Sequence, residues 1–475
     1  MKRYLFLLAI AGVAAAQPVF TGIFPPEEFA LRRSRVMEKI GDAAAILLGT
    51  TEPPGEMPLR QGNQFFYVAG VVEPRAILVI DGKTKRTTLF LNPRSAQRET
   101  SMYGPGLSPG EDAAKSTGTD AVLPRSDFQA VVDALAKDGR TIYTPFRAEV
   151  LGSISSGDPD RLWTANKTDP WDGRSSREQA FQAHLKVVAP NCEIRNLDPI
   201  LDAMRGVKSP REIAVIREAT RIAGLGIMEA MRDARPGLSE YELQADSEFV
   251  FKKYGAFGAA YFALIGTGPN TYYTHYHRNT AKLQDGDLVQ YDYAPDYKYY
   301  QSDVTRVFPA NGKFTPWQRE YYDIYLRLYR AVMTSIKVHV LPRDVIKEAV
   351  VKMDSIMAGY KFTDDKIKNA AQKFVETYRR QQARAGSLGH SVGMEVHDVR
   401  MPTDTLEPGE IFTIEPEMRI EEDHLGLRLE DMLLITETGY EDLSSFVPIE
   451  IADIEKLMAD RKHGLSAAHD TLPGK

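Results

Sequence analysis

Two stretches of strand pattern in this chain carry acidic side chains on both sides of a turn. Asp292 and Asp303 flank Pro295-Asp296-Tyr297-Lys298, and a hairpin centred between Tyr297 and Lys298 pairs the two aspartates directly. Like charges facing each other across a ladder are destabilising, so such a pair is kept in place most easily by a cation between the carboxylates. Glu415 and Glu430 flank Glu421-Glu422-Asp423-His424, and a centre between Glu422 and Asp423 makes a second acidic pair. Helices precede each hairpin. Ser209-Pro210-Arg211-Glu212 and Ser239-Glu240-Tyr241-Glu242 read as capping boxes, as does Thr315-Pro316-Trp317-Gln318. The first helix is expected to stop at Pro236-Gly237, the second at Gly255. Helical patterns follow at 343–357 and 366–384. Strands are expected near 288–293 and 302–308, then near 411–415 and 426–435. The order helices-then-hairpin thus occurs twice with little identity between the halves. It predicts a pseudo-symmetric α+β domain in which each half gives one hairpin to a shared centre.

Four carboxylates at one centre call for a partner. Oxygen ligands with an imidazole suit Mn, Co, Zn or Fe(II) and require no soft sulfur. The imidazole candidates lie in Gly389-His390-Ser391-Val392-Gly393-Met394-Glu395-Val396-His397-Asp398, a glycine-containing stretch that reads as loop and short strand. Gly389 to Gly393 also matches G-x-S-x-G. That nucleophile elbow needs a strand before the serine and a helix after it, and neither pattern flanks Ser391. There is no H-E-x-x-H, no Walker A motif and no G-x-G-x-x-G after a strand. The single cysteine, Cys192, excludes an internal disulfide framework and a Cys-rich metal site. A net charge of −6 without a long basic run argues against nucleic acid as a partner.

The N-terminal part reads differently. Lys2 and Arg3 precede an apolar run from Tyr4 to Ala16 that ends in Ala14-Ala15-Ala16, the layout of a secretory signal peptide over residues 1–16. The run is short for a membrane span. The mature chain is therefore expected to be exported, periplasmic or secreted, without stable membrane insertion. Residues 18–200 read as a smaller mixed α/β domain, with strands at 76–80 and 87–91 around the Asp81-Gly82 turn signal. Residues 153–177 read as a surface loop or insertion. A catalytic domain is placed at 205–458 and a polar tail at 459–475.

The stretch from Val207 to about Met458 resembles the pita-bread metallopeptidases, most closely aminopeptidase P, with prolidase next. The resemblance is carried by Leu283-Gln284-Asp285-Gly286-Asp287-Leu288-Val289-Gln290-Tyr291-Asp292 and by Ser302-Asp303-Val304-Thr305-Arg306-Val307-Phe308. It continues through Asn311-Gly312-Lys313-Phe314-Thr315 and the H-x-x-G-x-x-x-H-D of His390 to Asp398. Ile414-Glu415-Pro416 and Arg428-Leu429-Glu430-Asp431 complete it. Phe65 to Pro74 looks like the family's non-catalytic domain. The resemblance implies two divalent metals, Mn foremost with Zn or Co as alternatives, held by Asp292, Asp303, His390, Glu415 and Glu430. In the family Asp303 and Glu430 bridge both ions, Asp292 completes one and His390 with Glu415 the other. It further implies that a hydroxide held by both ions attacks the peptide and that Glu415 takes the proton of the attacking water. His275 and His397 would hold the substrate carbonyl and the developing charge, and Arg428 would orient carboxylates. The implied activity is release of the N-terminal residue from Xaa-Pro peptides, with dipeptide-only prolidase or a non-catalytic binding module as rivals. A homo-oligomer, dimer or tetramer, is also expected.

Three positions depart from the family pattern. Asp292-Tyr293-Ala294 stands for Asp-Ala-Gly, Glu415-Pro416-Glu417 for Glu-Pro-Gly, and Gly386 for a histidine found in some aminopeptidases P. Glu417 has two readings: an ion pair with Arg419, or a carboxylate for the substrate's free α-amino group.

Overall fold

The computed structural model describes residues 24–52, 57–93, 95, 106–149, 157–383, 388–399 and 404–460. The expected signal peptide, Gly386 and all but the first two residues of the expected tail lie outside them. The chain divides into two compact units, 1–151 with 166–200, and 152–165 with 201–475.

The first unit is built on a six-stranded sheet. Its strands are β1 (Ala44–Leu48), β2 (Ile77–Asp81), β3 (Arg86–Leu91), β4 (Ala121–Pro124), β5 (Ile142–Thr144) and β6 (Ile194–Asn196), in the order β4-β3-β2-β1-β5-β6. The β1–β2 and β2–β3 pairs are antiparallel, and β1–β5, β3–β4 and β5–β6 are parallel. The near-continuous apolar runs of β1 and β2 fit strands buried on both faces. Ile46, Val79 and Phe90 pack with Val132, Leu135 and Leu185 of the helices Phe128–Lys137 and Arg177–Val188. The stretch read as a loop or insertion at 153–177 contains a helix, Asp158–Thr168. Most of this helix belongs to the second unit, and its low apolar content, with Pro159 its one buried residue, hides it from a periodicity reading.

In the second unit the capping logic holds. The helix Pro210–Asp233 opens with a reciprocal Ser209–Glu212 box, and the helices Glu240–Lys253 and Pro316–Met333 open with Ser239–Glu242 and Thr315–Gln318 boxes. Helices Pro342–Gly359 and Asp365–Ala383 follow. After the first two helices come β7 (Gly258–Ala259), β8 (Leu264–Thr267), β9 (Leu288–Asp292), β10 (Pro295–Tyr297), β11 (Tyr300–Gln301) and β12 (Thr305–Pro309). After the next three come β13 (Ile411–Ile414), β14 (Glu417–Ile420), β15 (Leu425–Arg428), β16 (Asp431–Thr436) and β17 (Gly439–Asp442). Sheet β12-β9-β8 from one half and sheet β13-β16-β17 from the other meet at an isolated antiparallel bridge between Thr305 and Glu430. The two backbone hydrogen bonds of that bridge measure 3.1 and 3.3 Å. No described helix is long and apolar enough to cross a membrane.

The register of the first hairpin corrects the sequence reading. Asp292 pairs with Thr305, not with Asp303, and Tyr297 pairs with Tyr300. The turn is Lys298-Tyr299, both with positive φ, as a two-residue hairpin turn requires. The expected centre between Tyr297 and Lys298 falls one residue early, and Pro295–Tyr297, most of the expected turn cluster, is strand β10. Lysine and tyrosine rarely adopt that conformation, so they gave no turn signal. The strand expected from Ser302 begins only at Thr305. In the second hairpin, Glu417–Arg428 and Ile414–Asp431 pair in the expected register, with Glu415 and Glu430 in the break between the two ladders.

Candidate metal centre

Asp292 closes β9 and Asp303 lies in the irregular step between β11 and β12. That step lets both carboxylates reach the hydroxyl of Tyr261, at 2.5 and 2.6 Å. Glu415 and Glu430 sit where the second pair of strands breaks, Glu430 being held instead by its bridge to Thr305. Thr305 donates its hydroxyl to Glu430 Oε2 at 2.7 Å, while Glu430 Oε1 is buried with no hydrogen-bond partner. The buried Arg306 donates to the Glu430 carbonyl at 2.8 Å and pairs with Asp431 at 2.6 Å, fixing the backbone beneath the site.

His390 arrives on the loop expected for it. Its Nδ1 lies 3.2 Å from the Ser391 carbonyl. A carbonyl only accepts, so Nδ1 carries the proton and Nε2 is turned inward. Nε2 stands 3.0 Å from Glu415, 3.5 Å from Asp303 and 3.9 Å from Glu430. His397 packs edge-on to it, ring centroids 4.0 Å apart. The motif's remaining residues staple this loop. Asp398 is buried between Arg205 at 2.5 Å and Lys208 at 3.0 Å, and its N–H donates to the Ser391 carbonyl at 2.8 Å. A Cβ at Gly393 would stand 2.0 Å from the Asp398 carboxylate, so only glycine fits. Ser391 forms a single bridge to Phe412 and no helix follows it, which removes the elbow reading.

Ligand atoms of Asp292, Asp303 and Glu430 lie within 4.8 Å of one another, as do those of His390, Glu415 and Glu430, and those of Asp303, His390 and His397. The electrostatics match a site built for cations. Burial, reinforced by the charge of Asp292, pushes Asp303 up to about 8. Burial and the charges of Asp303 and Glu415 push Glu430 well above the carboxylate range. Asp292 is raised by burial against the pull of Arg428, which pairs with it. Burial would raise Glu415 too, but the hydrogen bond and charge of His390 reverse the effect and hold it at about 2. His397 is lowered to about 4 by burial and by the neighbouring His390. The buried, unpartnered Glu430 oxygen and the inward Nε2 fit hard or borderline divalent ions.

His275 is exposed, on the coil after the short helix Gly268–Tyr272. It lies within electrostatic range of Asp292 and His397. Glu417 is ion-paired with Arg419. Tyr293 donates to Glu248 at 2.8 Å, away from the carboxylates. Tyr261 was missed by sequence reasoning. It lies outside every acidic or histidine motif, and only the fold brings it to the aspartates.

A model of metallopeptidase family M24 matches residues 214–437, and a model of the aminopeptidase P N-terminal domain matches residues 29–143. An Xaa-Pro aminopeptidase of Escherichia coli strain K12 is 32% identical over 453 residues, covering 91% of this chain and 97% of the relative. The chain belongs to metallopeptidase family M24, in its Xaa-Pro aminopeptidase branch. The solved structure of E. coli aminopeptidase P with the inhibitor Pro-Leu aligns with TM-score 0.70 at 29% identity, over 92% of this chain and 99% of that one. A zinc-substituted form of the same enzyme with product aligns with TM-score 0.70 at 29% identity, over 92% and 98%. This family membership agrees with the α+β, pseudo-symmetric architecture read from the two hairpins and with the pita-bread fold implied by the resemblance.

Proposed function

We propose that this metallo-aminopeptidase releases the N-terminal residue from Xaa-Pro peptides using two divalent ions. Asp292, Asp303, His390, Glu415 and Glu430 would hold the ions, Asp303 and Glu430 each belonging to two of the converging ligand groups. The observation that carries the reading is the convergence of four carboxylates from both hairpins with His390 from its loop, one Glu430 oxygen being left unpartnered. Bound divalent ions would supply a lowered water pKa and a polarised carbonyl. Glu415, whose carboxylate reaches the centre beside His390, would accept the proton of the attacking water. His397, held neutral by burial, donates a hydrogen bond to the substrate carbonyl, and His275 approaches it from the exposed side. Arg428 keeps Asp292 oriented. Proline's amide nitrogen has no hydrogen and its ring fixes the backbone, so a dedicated pocket for this bond is reasonable. Mn is the metal we assign, with Zn or Co as substitutes.

The test is hydrolysis of Xaa-Pro and Xaa-Pro-Xaa peptides by the dialysed protein with Mn, Co or Zn restored. Cleavage of the longer peptide supports the reading. Cleavage of the dipeptide alone moves the assignment to prolidase. No bound metal and no rescue would leave a binding module. Export rests on the sequence of residues 1–16, and a mature N-terminus at Gln17 is the expected result. For the homo-oligomer, sedimentation is the check; support comes from exposed aromatics such as Phe249, Phe257 and Phe262.

A further inference from the structure

The imidazole of His275 makes no hydrogen bond to any described residue, so its place is set by the backbone that carries it. That backbone is gripped one residue earlier. The Thr274 hydroxyl accepts from Arg419 Nη2 at 2.5 Å and donates to Glu417 Oε2 at 3.2 Å, and Arg419 and Glu417 are themselves paired. The hydroxyl thus uses both of its hydrogen-bonding capacities inside a closed ring of three side chains. The Thr274 carbonyl accepts from the buried Arg428 at 3.3 Å, and Glu417 Oε1 lies 3.6 Å from that same arginine. Further back, Gly426 of β15 donates its N–H to the Thr271 hydroxyl at 3.0 Å. A Cβ at Gly426 would come within 2.4 Å of the Thr271 carbonyl, so the hairpin lies directly on this segment. The Arg419 guanidinium stands 5.3 Å from the ring of Tyr272, which stacks on His424.

Glu417 is the hub of this grip, touching Thr274, Arg419 and Arg428, and it stands where the family pattern has glycine. We propose that Glu417 is a positioning residue for His275: through Thr274 it holds the 272–275 segment against β14 and β15 and so keeps the imidazole facing the metal centre. This rests on the reading of His275 as a group that acts on the substrate. The pairing with Arg419 is then part of the device and not a bland surface contact.

The experiment is a double-mutant cycle on the metal-loaded protein with an Xaa-Pro-Xaa peptide, with metal content measured for every variant. Glu417→Gly should lower kcat about 10- to 100-fold, the cost of a misplacement of about 1 Å, with metal content and KM little changed. Thr274→Val should lose as much, and Thr274→Ser, which keeps the hydroxyl, should recover most of it. Glu417→Gly combined with His275→Ala should be no worse than His275→Ala alone, since groups acting through one another are not additive. Additive losses would overturn the proposal, as would a silent Glu417→Gly beside a costly His275→Ala. A silent His275→Ala would remove the reading of His275 and the proposal with it. A loss seen only with free-amine substrates would assign Glu417 to the substrate's amine and overturn the positioning role.

Discussion

Carboxylates crowd together in two places in the catalytic unit, and the two differ in what the fold brings to meet them. At the centre, Asp292, Asp303, Glu415 and Glu430 come from two hairpins. Between the helices Pro210–Asp233 and Glu240–Lys253, Glu229, Asp233 and Asp246 come together. There Asp233 pairs with Arg235 at 2.5 Å and Glu229 with Arg232 at 3.3 Å, while Asp246 Oδ2 is buried without a partner. Burial, with the charges of Asp233 and Glu229 added, pushes Asp246 up to about 8. Among the described residues, ligand atoms of three or more metal-binding side chains come within 4.8 Å of one another only at the centre. The helix pair settles its repulsion with a proton on Asp246. The centre likewise raises Asp303 and Glu430 and leaves a Glu430 oxygen unpartnered, but there the His390 loop adds an imidazole nitrogen within reach of carboxylates from both hairpins. Acidity alone is therefore not a metal site; convergence of three or more ligand atoms, an imidazole among them, is.

The sharpest way to break this contrast is to remove a shared ligand. Glu430→Ala or Asp303→Ala should lower both bound metal and activity, the latter roughly a thousandfold or more, about 4 kcal/mol of barrier. Metal analysis beside kcat/KM checks it, and full metal retention would refute the shared-ligand assignment. His397→Ala should leave metal in place and cost about 10²- to 10³-fold in kcat, as for loss of one donor to a developing negative charge. If it strips the metal, His390 has been wrongly chosen as the ligand. Arg428→Met should leave Asp292 buried and unpaired and cost about 3–5 kcal/mol of stability in the metal-free protein. The drop in Tm should be smaller when metal is bound, since metal replaces the lost positive charge. An equal drop in both forms would mean that Arg428 acts by packing alone.

The smallest effect is at the helix pair. The folded-state pKa of Asp246 lies above its unfolded value, so the folded protein binds more protons between about pH 4 and pH 8. Its contribution is full below about pH 4 and is lost as pH rises towards 8. Asp246→Asn removes that loss. Denaturant unfolding should show the variant gaining about 1–3 kcal/mol relative to the native chain at pH 8 compared with pH 5, a figure reduced for the partial exposure of the group. Metal content should not change. An Asp246→Asn protein with altered metal content would erase the distinction between the two clusters.

Much of this was legible before any coordinates. Capping boxes announce three helices through side chains a few residues apart, and such local chemistry survives in any tertiary setting. The acidic pairs and the histidine loop were legible because charge in a strand pattern is costly and therefore conspicuous. The register of the first hairpin was not, since Lys298-Tyr299 adopts a conformation that its side chains do not favour, while Pro295-Asp296 imitates a turn. Tyr261, Thr305 and Arg306 were invisible as site residues for a different reason. Their roles are defined only by what the fold brings opposite them, and tyrosine, threonine or an arginine in a strand is unremarkable alone. The grip on Thr274 was equally hidden, although the departure at Glu417 pointed to its hub.

The bridge between Thr305 and Glu430 joins residues 125 positions apart. At synthesis rates of roughly 5–20 residues per second, the second glutamate follows the first hairpin by roughly 6–25 s. Before His390 emerges the two aspartates stand alone, and two carboxylates discriminate poorly among divalent ions; Glu430 is the last of the five to be made. Selection of the metal therefore belongs to the end of folding. Whichever compartment the chain finishes folding in, its supply of free metal decides what the centre takes up.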